Sequence, residues 1–160
     1  MRYTIPLYIL FFLCRNFVSA AQELPPVLNF TPEQYNAKNQ NWDIAQGEQA
    51  FIYVANNSGL LEYDGAKWNL YPTSNKTIMR SVAAQNGRIY TGAYMEFGYW
   101  ERGNDGLLDY TSLSENVTVP LIEDEQFWNI ILVDNLILFQ SLDRIYSYNT
   151  DTKQFQIIES

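Results

Sequence analysis

From Trp42 onward the chain alternates short apolar-aromatic runs with clusters of Asn, Asp, Gly and Ser, and the alternation repeats three times. The first pass runs Trp42-Asp43-Ile44, Phe51-Ile52-Tyr53-Val54, Gly59 to Gly65, and Trp68-Asn69-Leu70-Tyr71. The second runs Arg80-Ser81-Val82, Arg88-Ile89-Tyr90-Thr91, Phe97-Gly98-Tyr99-Trp100, and Leu107-Leu108-Asp109-Tyr110. The third runs Trp128-Asn129-Ile130, Leu136-Ile137-Leu138-Phe139, Arg144 to Tyr148, and Phe155-Gln156-Ile157-Ile158. Tyr53 and Tyr63, Tyr90 and Trp100, and Leu138 and Tyr148 are each ten positions apart. Runs this short, bounded by residues that tolerate positive φ, predict four antiparallel strands per pass.

A four-stranded unit repeated in sequence predicts the blade of a β-propeller. A β-sandwich also has many short strands but does not predict repetition, and an up-and-down barrel calls for more uniform hairpins. The expected fold is therefore all-β: a partial propeller of about three four-stranded blades, spanning 42–73, 78–112 and 127–160. The interval is 37 residues between the first two copies and 48 between the second and third. The extra length falls in Thr111 to Gln126, which reads as a polar loop, with Glu123-Asp124-Glu125 as a solvated acidic run. Thr31-Pro32-Glu33-Gln34 predicts one short helical turn, with Thr as N-cap, Pro at N1 and Gln at N3. That turn lies in a lead segment, 21–41.

Residues 1–20 follow a different pattern. Met1 and Arg2 precede the uncharged apolar run Ile5 to Cys14, and Val18-Ser19-Ala20 supplies small residues before Ala21. This is the layout of a secretory signal peptide with a signal helix, cleaved after residue 20. Ten residues at ~1.5 Å each cannot cross a ~30 Å hydrocarbon layer, so a spanning anchor is the poorer reading. The mature chain is expected on the periplasmic or extracellular side of a bacterial membrane.

Composition narrows the chemistry. The chain is 47% apolar and 16% aromatic, enough to bury a core, and its net charge of −8 disfavours nucleic acid. It has no His and its one Cys, Cys14, sits in the leader, so no thiol or soft-metal chemistry is expected after cleavage. No calcium-loop spacing, phosphate-binding Gly-rich loop or nucleophile elbow occurs, and no two carboxylates are placed together as glycoside hydrolysis requires. The expectation is a non-enzyme with no cofactor and no metal site.

WD-repeat, kelch and Asp-box propellers are ruled out by the absence of their Gly-His, Gly-Gly and Ser-x-Asp-x-Gly-x-Thr-Trp signatures. Phe51 through Trp68, with Gly59-Leu60, Tyr63 and Asp64-Gly65, instead resembles the two-component-regulator propeller repeat. Asn86-Gly87-Arg88-Ile89-Tyr90-Thr91-Gly92 resembles its turn and second strand. Ser141-Leu142-Asp143 departs from it by lacking the glycines. The stretch from Pro26 to Ser160 is similar to the front of the bacterial triple-tyrosine-motif regulators. That resemblance implies an exported sensor propeller, followed by a tyrosine-bearing sandwich, a membrane helix and a LuxR-type helix-turn-helix or histidine-kinase output. The chain then reads as a truncated sensor whose partners are the remaining blades and downstream domains. A homodimer formed through the full-length protein is compatible with this layout. Three blades alone are expected to leave two apolar faces bare.

The residues proposed to bind a ligand are those at the starts of inner strands and in the second-to-third-strand turns: Trp42, Asn56, Asn57, Arg80, Tyr94, Glu96 and Trp128. Amide, aromatic and charged groups suit stacking on sugars and bonding their hydroxyls. Carbohydrate is thus the expected ligand class. Packing between blades is the competing role for Trp42 and Trp128. A secreted propeller used for adhesion, or as the scaffold of a polysaccharide-degrading enzyme, is the alternative function.

Overall fold

A computed structural model describes residues 24–159; the signal-peptide assignment lies outside the described residues. The first sheet comprises β1 (Asn41–Gln46), β2 (Ile52–Asn56), β3 (Gly59–Tyr63) and β4 (Trp68–Tyr71). The second holds β5 (Met79–Gln85), β6 (Arg88–Ala93), β7 (Glu96–Arg102) and β8 (Leu108–Ser112). The third holds β9 (Asn129–Val133), β10 (Leu136–Gln140), β11 (Arg144–Asn149) and β12 (Phe155–Glu159). Each is an antiparallel meander in chain order, and the first strands β1, β5 and β9 lie beside one another. This is the partial, propeller-like all-β fold that the repeat predicts.

The equivalence of the copies extends to register. Tyr53 faces Glu62, Tyr90 faces Tyr99, and Leu138 faces Ser147 on the third strand of each sheet. Turn length fixes that register, and side-chain alternation then decides which apolar set meets the neighbouring sheet. Gly59 carries one such turn at φ +135°, where a Cβ would lie 2.3 Å from the Tyr71 carbonyl oxygen. Only glycine fits there.

Two cores form between the sheets. Tyr53, Ala55, Leu60, Met79, Val82, Ile89, Trp100 and Leu108 fill the space between sheets one and two. Phe97, Phe127, Phe139 and Tyr146, among others, fill that between sheets two and three. Hydrogen bonds tie the inner strands across these cores. The Val82 amide donates to Asp43 Oδ2 at 2.9 Å, and Ser81 Oγ donates to the Phe127 carbonyl at 2.9 Å.

The far face of sheet one is not bare, contrary to the expectation of two open faces. Helix α1 (Pro32–Tyr35) begins where the capping pattern places it, with the Thr31 amide donating to Gln34 Oε1 at 2.7 Å. It sets buried Tyr35 against Val54 and Leu61, while Phe30 and Tyr35 meet the Trp68 ring edge-on. The far face of sheet three does stay open, with Ile131, Val133 and Ile158 each more than two-fifths exposed.

In the acidic loop Glu123 and Asp124 are exposed as expected, and one residue departs from expectation. Glu125 is buried rather than solvated: its carboxylate accepts from Ser141 Oγ (2.6 Å), Tyr146 OH (2.8 Å) and the Ile122 amide (2.9 Å). A buried carboxylate persists only with such partners, and here they fasten the loop to sheet three.

Candidate functional site

Trp42, Arg80 and Trp128 enter the structure at matching positions of successive sheets. Trp42 is the extra residue of a β-bulge in β1, between the pairs Asn41–Asn56 and Asp43–Ala55. Arg80 is the extra residue of the equivalent bulge in β5, between Met79–Ala93 and Ser81–Gly92. Trp128 stands immediately before β9, its amide bonded to the Gln140 carbonyl at 2.9 Å. A bulge leaves its residue out of the ladder and re-aims the side chain.

The three side chains meet. The Arg80 guanidinium carbon lies 4.0 Å from the Trp42 ring centroid and 4.6 Å from that of Trp128. The two indoles stand edge to face, with centroids 6.0 Å apart and planes at 80°. Trp42 and Trp128 are 39% and 40% exposed, so the cluster bridges the sheets and remains partly open to solvent. Cation–π attraction of this kind strengthens as the cation loses water. Asn57 Oδ1 accepts from Trp42 Nε1 at 2.6 Å and orients that ring. Gln126 Oε1 accepts from Arg80 Nε at 2.9 Å. Gln126 was not expected at the site. It lies in the long loop after β8, and only the bridge between Tyr94 and Gln126 brings it there.

The other proposed residues are placed differently. Asn56 is fully buried, and its amide nitrogen shares its two hydrogens among three acceptors, the carbonyls of Lys38 and Gln40 and Asn41 Oδ1, at 2.7, 3.0 and 2.7 Å. Its oxygen accepts from the Ser58 amide at 2.8 Å. With every polar atom so engaged, Asn56 is a turn-fixing residue, not a ligand contact. Glu96 is buried as well. Its Oε1 accepts three hydroxyls, Tyr110 (2.8 Å), Ser112 (2.9 Å) and Ser114 (2.9 Å), on the outer strand of sheet two and the turn after it. Glu96 therefore joins its sheet's outer edge and is not part of the Trp–Arg cluster.

Tyr94 lies between these cases. Its hydroxyl donates to Asp124 Oδ1, and that bond to a carboxylate raises the phenol's pKa. The neighbouring Met95 adopts φ +54°, and its amide donates to the Glu125 carbonyl at 2.8 Å. This turn is braced against the long loop, which closes one side of the Trp128 surface. A cleft beside Trp128 is lined by Glu123, Asp124, Gln126, Leu142 and Asp143. The site thus offers two stacking faces, one cation held between them, amides on both flanks and a carboxylate rim.

No family model matches the chain, and no curated protein matches it. Among solved structures it is similar to the extracellular domain of the hybrid two-component system BT4673 from B. thetaiotaomicron, at 16% identity and a TM-score of 0.58. That match covers 83% of this chain and 17% of the other. A second crystal structure of the BT4673 extracellular domain, described as a one-component system, matches at 15% identity and a TM-score of 0.55, covering 77% of this chain and 16% of the other. The chain spans about a sixth of the length of these solved chains, and the likeness is one of fold.

Proposed function

We propose that this chain is part of the extracytoplasmic sensor of a transmembrane signalling or transcriptional regulator, and that it recognises a carbohydrate at the Trp42–Arg80–Trp128 mouth. The observation that carries the reading is the convergence of three equivalent positions from three sheets on one exposed aromatic cluster. Exposed indole faces stack on the C–H faces of sugars, while the amides of Asn57 and Gln126 suit hydroxyls. The fold shared with the extracellular domain of a two-component system supports the sensing role. The repeat and sequence resemblances support the finer placement among triple-tyrosine-motif regulators, with a helix-turn-helix or kinase output.

Oligosaccharide-array binding by the whole ectodomain tests the ligand class. Binding that is lost in Trp42→Ala and Trp128→Ala supports the reading, and an array with no bound glycan removes it. The coding sequence downstream of Ser160 tests the output: a membrane helix followed by a helix-turn-helix or kinase is expected. A sorting signal or a catalytic carboxylate pair there would favour the secreted adhesin or enzyme-scaffold alternative.

A further inference from the structure

Among the described residues, three of the four arginines have a carboxylate partner. Arg88 pairs with Glu101 at 2.7 Å, Arg102 with Glu62, and Arg144 with Glu159 at 3.1 Å. Arg80 has none among the described residues. Its Nε reaches only the neutral amide of Gln126, and its Nη1 is buried without any acceptor. Burial also pulls its pKa below the usual arginine value, with no carboxylate to offset the loss of water. In a chain of net charge −8, a guanidinium left without a counter-charge at an exposed aromatic mouth is an anomaly. Buried or half-buried cations are ordinarily paired.

Resting on the carbohydrate reading above, we infer that the mouth is selective for a sugar carrying a single acidic group, a uronate carboxylate or one sulfate, which is received by Arg80, itself held between the rings of Trp42 and Trp128. With Nε already held by Gln126, the guanidinium keeps its terminal fork of N–H donors for either oxyanion, and such charge-assisted bonds are about twice as strong as neutral ones. The two indoles hold that fork in place before the ligand arrives, which reduces the ordering cost of binding. The rim sets the upper limit on charge. Glu123, Asp124 and Asp143 line the cleft beside Trp128 and repel a densely anionic polymer. One acidic group fits the fork, and a run of them meets the rim.

Matched oligosaccharide pairs test the inference by calorimetry on the whole protein. One pair is a glucuronate-bearing oligosaccharide and its carboxyl-reduced neutral form. The other is a monosulfated galacto-oligosaccharide and its unsulfated form. The expected result is binding of an acidic member about tenfold or more tighter than its neutral partner, the preference shrinking as salt rises. Arg80→Gln abolishes the preference, while Arg80→Lys keeps part of it. The pair that shows the preference identifies carboxylate or sulfate as the group received. If the unsubstituted protein binds acidic and neutral members equally, or prefers the neutral ones, the anion inference falls while the carbohydrate reading stands. If it binds no member of either pair, both fall. The comparison in the unsubstituted protein decides even where an Arg80 variant folds poorly.

Discussion

Phe97 is the residue on which the junction of sheets two and three turns, and its replacement gives the sharpest test of the fold. It is 1% exposed, and its ring lies 4.6 Å from Phe127, 4.5 Å from Phe139, 5.4 Å from Tyr146 and 6.1 Å from Phe155. Phe97→Ala removes the ring from a site whose neighbours come from one loop and three strands. Those neighbours cannot collapse inward together without breaking their own register. Phe→Ala at buried sites costs about 3–5 kcal/mol, and aromatic pairs contribute about 0.5–1.5 kcal/mol beyond their area. With two partners inside 5 Å, at least the middle of that range applies, about 4 kcal/mol. For a chain of this size, each kcal/mol moves the midpoint by roughly 2–4 °C, so a fall of roughly 8–16 °C is expected. Urea denaturation followed by near-ultraviolet circular dichroism reads the loss. Ile44→Ala, at a position 66% exposed, is the control and should change stability by under about 0.5 kcal/mol. A Phe97→Ala loss below about 1 kcal/mol would refute the placement of the core between these two sheets.

Three further outcomes follow from the same packing. Gly59→Ala meets both a positive φ and the Tyr71 carbonyl, and should destabilise by about 2 kcal/mol or more in chemical denaturation; a neutral result would contradict the turn geometry. Glu62 is buried and pairs with Arg102 across the first junction, accepting from Asn69 Nδ2 at 3.1 Å as well. Because Arg102 is one-third exposed, Glu62→Ala should cost about 2 kcal/mol, less than a fully buried pair, and high salt should reduce that figure only slightly. Burial, with the Glu96 charge beside it, raises the pKa of Tyr110 far above the ordinary tyrosine value; burial likewise raises Tyr53, Tyr90, Tyr146 and Tyr148. A raised folded pKa favours the neutral phenol, so its contribution to stability is complete below the unfolded value of about 10 and is lost as pH climbs past it. Tyrosinate absorbance should therefore lag in the folded chain and appear together with unfolding, whereas smooth ionisation at the ordinary pKa would count against this burial.

The sheets were legible because turn residues punctuate the chain at fixed spacing. Tyr53, Tyr90 and Leu138 could be aligned by sequence alone, and they occupy equivalent second strands facing Glu62, Tyr99 and Ser147. The mouth was half legible. The starts of inner strands marked Trp42, Arg80 and Trp128, but the bulges that turn two of them outward leave no signature at those residues. Polarity misled at Asn56, Glu96 and Glu125. A polar side chain in a turn reads as exposed, yet each is enclosed by partners up to 21 positions away, and no local pattern encodes such partners. Gln126 was missed for the complementary reason, since its role depends on a loop folding back to Tyr94.

Because Trp42 and Arg80 stand outside the ladder, the paired residues on either side of them keep their strand partners without calling on those two positions. Side-chain change at these two positions is thereby separated from strand pairing. On the function proposed above, a descendant of this chain could exchange one ligand for another by changing a few supernumerary residues, while the hydrogen-bonded ladder remains untouched.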